Sequence, residues 1–387
     1  MLATMLHNLR QDRTLRHALA IYFIVHFLLI GWMWLVTQII PFSTQPDQVF
    51  RPYMGIAPDQ RPFISVWQRW DVLHYQAIAA EGYDAFENSL FVTPLFPSLM
   101  RWGGGLLGGD TLVAGYLIAN VFSFFALLAI GRLAEDLFDN PETTWRVVLF
   151  FGIFPTAFFM HAPYTEPLFL LGAIKSLHKL WQKNWIEAGA WGFLAAFARL
   201  PGALILFPLS WIAIQELMKN RNWRALYTPL LTGLGTLIFP IYFIFFLGRS
   251  PTAPWVDVNA RYSGSTALPF WNVYLTIREI FTGPFPRANL VDLIFMLIAI
   301  VGAILVWRRL PTVFSLYYFG FLLAYSVRVA EYYPLLSMPR YALSLFPFFL
   351  VLGEWAEQPW KQRLVVYSSF LGLLFLSGQF AIWGWVA

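Results

Sequence analysis

The chain has 387 residues, 58% of them apolar and only 12% charged, about half the charge fraction of a soluble domain, so a water-soluble globular fold is excluded. A net charge of +5 without a dense basic and aromatic segment offers no nucleic-acid surface, and the lack of cysteine removes disulfides, thiol nucleophiles and zinc–thiolate sites. What remains is an all-α polytopic membrane protein, whose 18 Trp and 17 Tyr suit helix ends at the interface and whose 25 Pro suit broken or kinked spans.

In chain order, Arg10, Arg13 and Arg16 precede the first apolar run, 18–40, which continues without a small-residue cleavage pattern and reads as a retained span. The next stretch, 41–110, holds a polar segment at 70–84 and then LFVTPLFPSLMRWGGGLLG at 90–108. Two prolines and a triple glycine make the latter a poor continuous helix, so it reads as a partly buried or interfacial element rather than a span. Further spans are expected at 111–131, 146–161, 164–181, 185–199, 201–217, 226–248, 290–307, 312–330, 337–353 and 364–386, about 11 in all. An N-inside arrangement then puts fifteen of the 26 Lys and Arg, including all five lysines, in short turns on the cytoplasmic side. The same arrangement makes 1–387 a single membrane domain with two long external segments, 41–110 and 249–289. An integral protein of a bacterial or archaeal plasma membrane is expected, its N-terminus cytoplasmic.

Within WDVLHYQAIAAEGYD at 70–84, helical spacing aligns Asp71, His74 or Tyr75, Ile78 and Gly82. The reading is a short amphipathic helix that lays Ala77 to Ala80 against the membrane domain and ends at Gly82. It presents the Asp71 carboxylate near its first turn, where the helix dipole favours the ionised form. A plain interfacial helix capped by an acid accounts for the same pattern. Arginines inside spans are costly unless paired or facing a wet cavity, which singles out Arg199, Arg328 and Arg340; snorkelling from span ends is the bland reading. Glu166, between Pro163 and Pro167, falls at an outer turn, where it can pair with an arginine or cap a helix. In 249–289, Trp255 and Trp271 are candidates for stacking on sugar faces or for the interfacial belt, beside Asp257, Arg261, Asn272 and Arg278.

The 70–84 segment resembles the "WD…Y…IA…GY" signature of the PIG-V family of polytopic mannosyltransferases. Four further pieces resemble that family in order: LFVTPLFPSLMR at 90–101, FPTAFFMHAPYTEPLFLL at 154–171, FARLPGALILFP at 197–208 and MPRYALSLFPFF at 338–349. Each is degenerate alone, and their order and spacing make the likeness specific. The resemblance implies a GT-C type glycosyltransferase fold, with an outer-face site built around an acid in the first external loop and a polyprenyl-phosphate sugar as donor. It makes Asp71 the candidate base, with His74 and Glu166 as further catalytic candidates. Arg340, Arg199 and Arg328 become candidates for the donor phosphate, which planar guanidinium suits. Trp70, Tyr75, Tyr164 and Trp271 become candidates for the acceptor, a glycan, lipid or protein, with membrane lipids as surroundings. No cofactor is implied. A divalent metal would draw on Asp71, Glu81, Asp84 and Glu87, which form no tight D-x-D pair, and none is assigned. The competing class is a lipid or sugar-lipid transporter or flippase, which would place polar groups near the midplane.

Overall fold

The computed structural model describes residues 12–43, 45–46, 51, 53, 55–83, 90–254, 256 and 264–386. The chain folds as an all-α polytopic membrane protein. Its described helices are α1 (Arg13–Ile39), α2 (Asp71–Glu81), α3 (Leu95–Leu106), α4 (Thr111–Phe138), α5 (Pro141–Gly152), α6 (Phe158–His161), α7 (Glu166–Trp181) and α8 (Trp185–Ala198). They continue with α9 (Leu206–Asn220), α10 (Tyr227–Phe245), α11 (Trp271–Thr282), α12 (Pro286–Arg309), α13 (Thr312–Val327), α14 (Met338–Ser344), α15 (Pro347–Trp355) and α16 (Pro359–Ala381). The described β-structure is a two-residue antiparallel ladder, β1 (Ser265–Thr266) on β2 (Arg328–Val329), with Ser265 opposite Val329.

Six described helical segments are long and apolar enough to cross a membrane: Arg13–Ile39, Thr111–Phe138, Leu200–Asn220, Trp223–Phe245, Pro286–Arg309 and Pro359–Ala381. The other expected spans are shorter or broken. The 146–161 run divides into α5 and α6 around Pro155, and the 337–353 run divides into α14 and α15 at Pro347, as proline's missing N–H and ring demand. Helix α7 carries Lys175, His178 and Lys179 in its second half. Helix α8, rich in alanine and glycine, packs tightly on α7. A Cβ on Gly172 of α7 would stand 2.7 Å from the Ala195 nitrogen. Small residues thus allow the backbone approach that drives helix association in lipid.

Most of the basic turns gather at one end of the bundle, tied together by polar contacts. Arg132 on α4 pairs with Asp12, the N-cap of α1, and Asp136 bonds His178 at the end of α7 at 2.7 Å. Lys179 reaches Glu187 at 3.3 Å and Lys183 reaches Glu216 at 2.9 Å. Arg146 donates to the Gly353 carbonyl at 2.7 Å, and Arg309 pairs with Glu354 at 3.2 Å. Helices α1, α4, α10 and α12 run between this end and the other, so the described residues that follow α1 and α10 and those that precede α4 and α12 lie at the end opposite the basic turns. Glu166, at the start of α7, stands about 20 Å from Lys179 along the helix.

Candidate active site

Asp71 is the first residue of α2. Helix α2 differs from the surface helix expected: Val72 to Ala79 are all buried, because α2 is inserted against α3 and α4 rather than laid on them. It ends at Gly82, whose φ of +86° suits glycine. Its entry is strained, since Trp70 has φ 52° and ψ −119°, a conformation costing about 1–3 kcal/mol. The Trp70 ring is held edge-on by Trp383 at 5.5 Å and Trp385 at 5.1 Å.

Glu166 opens α7 and is wholly buried. Its Oε1 accepts from Arg340 Nε and from Arg199 Nη1, the latter at 2.6 Å. Its Oε2 has no hydrogen-bond partner among the described residues. Arg199 stands just after α8, in extended conformation, where Pro201 forbids the helix to continue. The chain there turns so closely that a Cβ on Gly202 would lie 2.0 Å from the Ala195 carbonyl oxygen. Thr93 Oγ1, in the proline-rich element, donates to the Ala198 carbonyl at 2.7 Å and fixes the same corner.

Arg340 sits in the first turn of α14. Ser337, just before that helix, is left-handed at φ 66°; the Met338 N–H donates to Asp292 Oδ1 at 3.2 Å, and Thr156 Oγ1 donates to the Pro339 carbonyl at 2.9 Å. Arg340 Nη1 donates to Asp71 Oδ2 at 2.6 Å. Its guanidinium lies over Tyr164 at 4.7 Å and Phe159 at 5.4 Å. The result is a continuous chain, Asp71–Arg340–Glu166–Arg199, with two acids and two arginines gathered from α2, α14, α7 and the end of α8. Each acid opens a helix and Arg199 follows one, so the helix dipoles assist three of the four charges.

The remaining candidates divide. Tyr75 meets Tyr164 edge-on at 5.9 Å, and burial, then the Asp71 carboxylate, push its phenol pKa up. His74 is buried and packs edge-on to Phe91 at 5.2 Å. Arg328 donates to the hydroxyl of Tyr341, the residue after Arg340, at 2.8 Å, and Tyr341 stacks on Tyr325 at 4.4 Å. Trp271 is half-exposed and lies tilted against Tyr274, ring centres 4.8 Å apart. Among the described residues no three His, Asp or Glu side chains gather to hold a metal; Asp84, Glu87, Trp255, Asp257 and Arg261 lie outside them.

Two participants escaped sequence reasoning. Arg69, beside the signature, is buried and donates to the carbonyls of Ala381, Ser65 and Gln68 at 3.0, 2.6 and 3.0 Å. It also lies 4.9 Å over Trp383. Burial pushes its pKa down to about 10. The other is Asp292; an acid within an apolar run was the available signal.

Fold and site together define a polytopic helical membrane protein with a buried ionic chain at helix termini. No family model matches the chain. Its sequence is nevertheless similar to GPI mannosyltransferase 2 of Schizosaccharomyces pombe, 24% identical over 253 residues, or 61% of this chain and 54% of that protein. It is 29% identical over 122 residues to GPI mannosyltransferase 2 of Cryptococcus neoformans, covering 29% of this chain and 28% of the relative. GPI alpha-1,6-mannosyltransferase 2 of Mus musculus is 30% identical over 147 residues, 36% of this chain and 30% of that protein. The matched stretches thus span about half or less of these relatives, all eukaryotic. The match is at family level and at low to moderate identity: the chain is similar to proteins named GPI mannosyltransferase 2 from several species.

Proposed function

We propose that this protein is a GT-C type glycosyltransferase that moves mannose or a similar hexose from a polyprenyl-phosphate carrier to an acceptor hydroxyl at the extracytoplasmic face. The observation that carries the reading is the Asp71–Arg340–Glu166–Arg199 chain, which sets one partly accessible carboxylate beside buried guanidinium groups. Direct displacement needs that pairing. As the acceptor oxygen bonds to the anomeric carbon, its proton passes to Asp71 and the bond from that carbon to the phosphate oxygen breaks. The electron pair leaves with the phosphate, whose growing charge Arg340 meets with a planar, charge-assisted fork. Glu166 and Arg199 hold Arg340 in position. The segments 41–110 and 249–289 are then external, Tyr75 and Tyr164 line the Asp71 side, and Trp70 and Trp271 offer aromatic faces to the acceptor.

The test is sugar transfer from a radiolabelled polyprenyl-phosphate hexose by purified protein in lipid, comparing wild type with Asp71→Asn. Transfer or slow hydrolysis in wild type that drops by at least about 100-fold in the variant, with unchanged melting temperature, fits general-base loss. Equal turnover in both removes Asp71 from that role, and lipid movement without sugar transfer makes the protein a flippase.

A further inference from the structure

The candidate base is not at rest a solitary carboxylate: Asp71 Oδ2 is held by Arg340 Nη1 at 2.6 Å. The same guanidinium is the group that would take the donor phosphate. One nitrogen edge cannot make both contacts in full. The two acids on Arg340 are unequal as exchangeable partners. The Glu166 side chain is 0% exposed and takes Arg199 as well, whereas the Asp71 side chain is 19% exposed and opens a buried helix. An incoming anion can therefore reach the Asp71 side of the fork but not the Glu166 side. Release costs Asp71 little, because it is partly exposed and opens a helix whose dipole favours its charge. Displacing Glu166 would instead strand a fully buried carboxylate.

We infer that the donor phosphate exchanges with Asp71 on Arg340, so that lipid-phosphate binding itself takes this guanidinium off the base, and that Glu166 with the Tyr164 face keeps the guanidinium fixed during the exchange. This rests on the glycosyltransferase reading above. The charges support such a cycle. A sugar phosphodiester carries one negative charge, as the departing carboxylate does, so the exchange is neutral. Cleavage leaves a monophosphate bearing nearly two charges, which holds Arg340 more strongly than Asp71 does and keeps the base disengaged until product departs. Without a lipid phosphate, Asp71 returns to Arg340 and cannot activate water or acceptor. The ion pair is then a lock on unproductive chemistry, opened by the correct substrate, and phosphate affinity is reduced by the fraction of protein in which the fork is occupied by Asp71.

The experiment titrates farnesyl phosphate, an isoprenyl monophosphate without sugar, into the full chain in a phosphate-free maltoside detergent, following tryptophan fluorescence. Asp71→Asn is expected to bind about 10-fold tighter than wild type, since removing the competing carboxylate abolishes the population penalty. The gain should vanish in Asp71→Asn/Arg340→Gln. Asp71→Ser, which also removes the charge at a helix terminus, replaces the asparagine variant should that one melt early. Equal affinity in wild type and either folded variant overturns the exchange while leaving a lipid-phosphate site standing. No binding by any of the proteins overturns the donor reading on which it rests.

Discussion

Glu166 is the side chain on which the ionic chain turns. A fully buried carboxylate shared by two arginines is worth little against an apolar substitute, but removing it alone leaves two guanidinium groups uncompensated. Glu166→Gln is therefore expected to lower stability by about 3–5 kcal/mol, read from thermal unfolding in detergent. Glu166→Gln/Arg199→Gln should recover part of that loss, whereas additive losses would show that the two do not interact. Asp71, Glu166, Arg199 and Arg340 were all legible in the sequence, because a charge inside an apolar run stands out and because their motifs occur in family order. Arg69 was not. It reads as one more arginine in an outer segment, and only the fold shows its head group sunk among three main-chain carbonyls. His74, three positions from Asp71, turned out to be packed on Phe91; one helical turn of spacing fixes a direction only roughly.

At the scale of elements, the site depends on backbone geometry at helix ends. Arg199 is aimed by the corner at Leu200–Ile205, where the chain passes against the Ala195 carbonyl. Gly202→Ala would put a methyl group into that oxygen, so the corner must open and Arg199 must leave Glu166. The expected result is a stability loss of about 1–3 kcal/mol with a larger proportional loss of the proposed sugar transfer; wild-type transfer would show that the corner has slack. Helix starts and stops were readable at Gly82 and before Pro201, where glycine and proline mark them. The burial of α2 was not, because its short alanine-rich face suits a membrane surface as well as a slot between α3 and α4. The full set of eleven spans was also not recoverable as continuous helices: composition fixes where apolar chain lies, but prolines inside the runs divide 146–161 and 337–353 into shorter pieces. The tie between β1 and β2, with Asn272 Nδ2 donating to the carbonyls of Tyr325 and Arg328 at 2.9 Å each, joins segments 56 residues apart that no local pattern connects.

For the molecule as a whole, the sorting of charge gives the proposed orientation a direct test. The turns that carry lysine are linked by ion pairs at one end, and the ionic chain lies one helix length away. With no native cysteine, Ala80→Cys should react with a membrane-impermeant maleimide added to intact cells, while Lys183→Cys should react only after permeabilisation. The reverse pattern would put the site on the cytoplasmic face and end the proposed donor chemistry. This two-ended organisation was legible in the sequence, where the basic residues group into alternate short turns as the positive-inside bias requires.

The grip of Arg69 on the Ala381 carbonyl, with Trp383 and Trp385 closing on Trp70, has a consequence in time. The two halves of that clasp are separated by 312 residues. A ribosome adding 5–20 residues per second needs roughly 15–60 s to make the interval between them. Throughout that delay the nascent chain carries its acid without the backing that seats it, so the ionic chain is fully supported only once α16 has entered the bilayer.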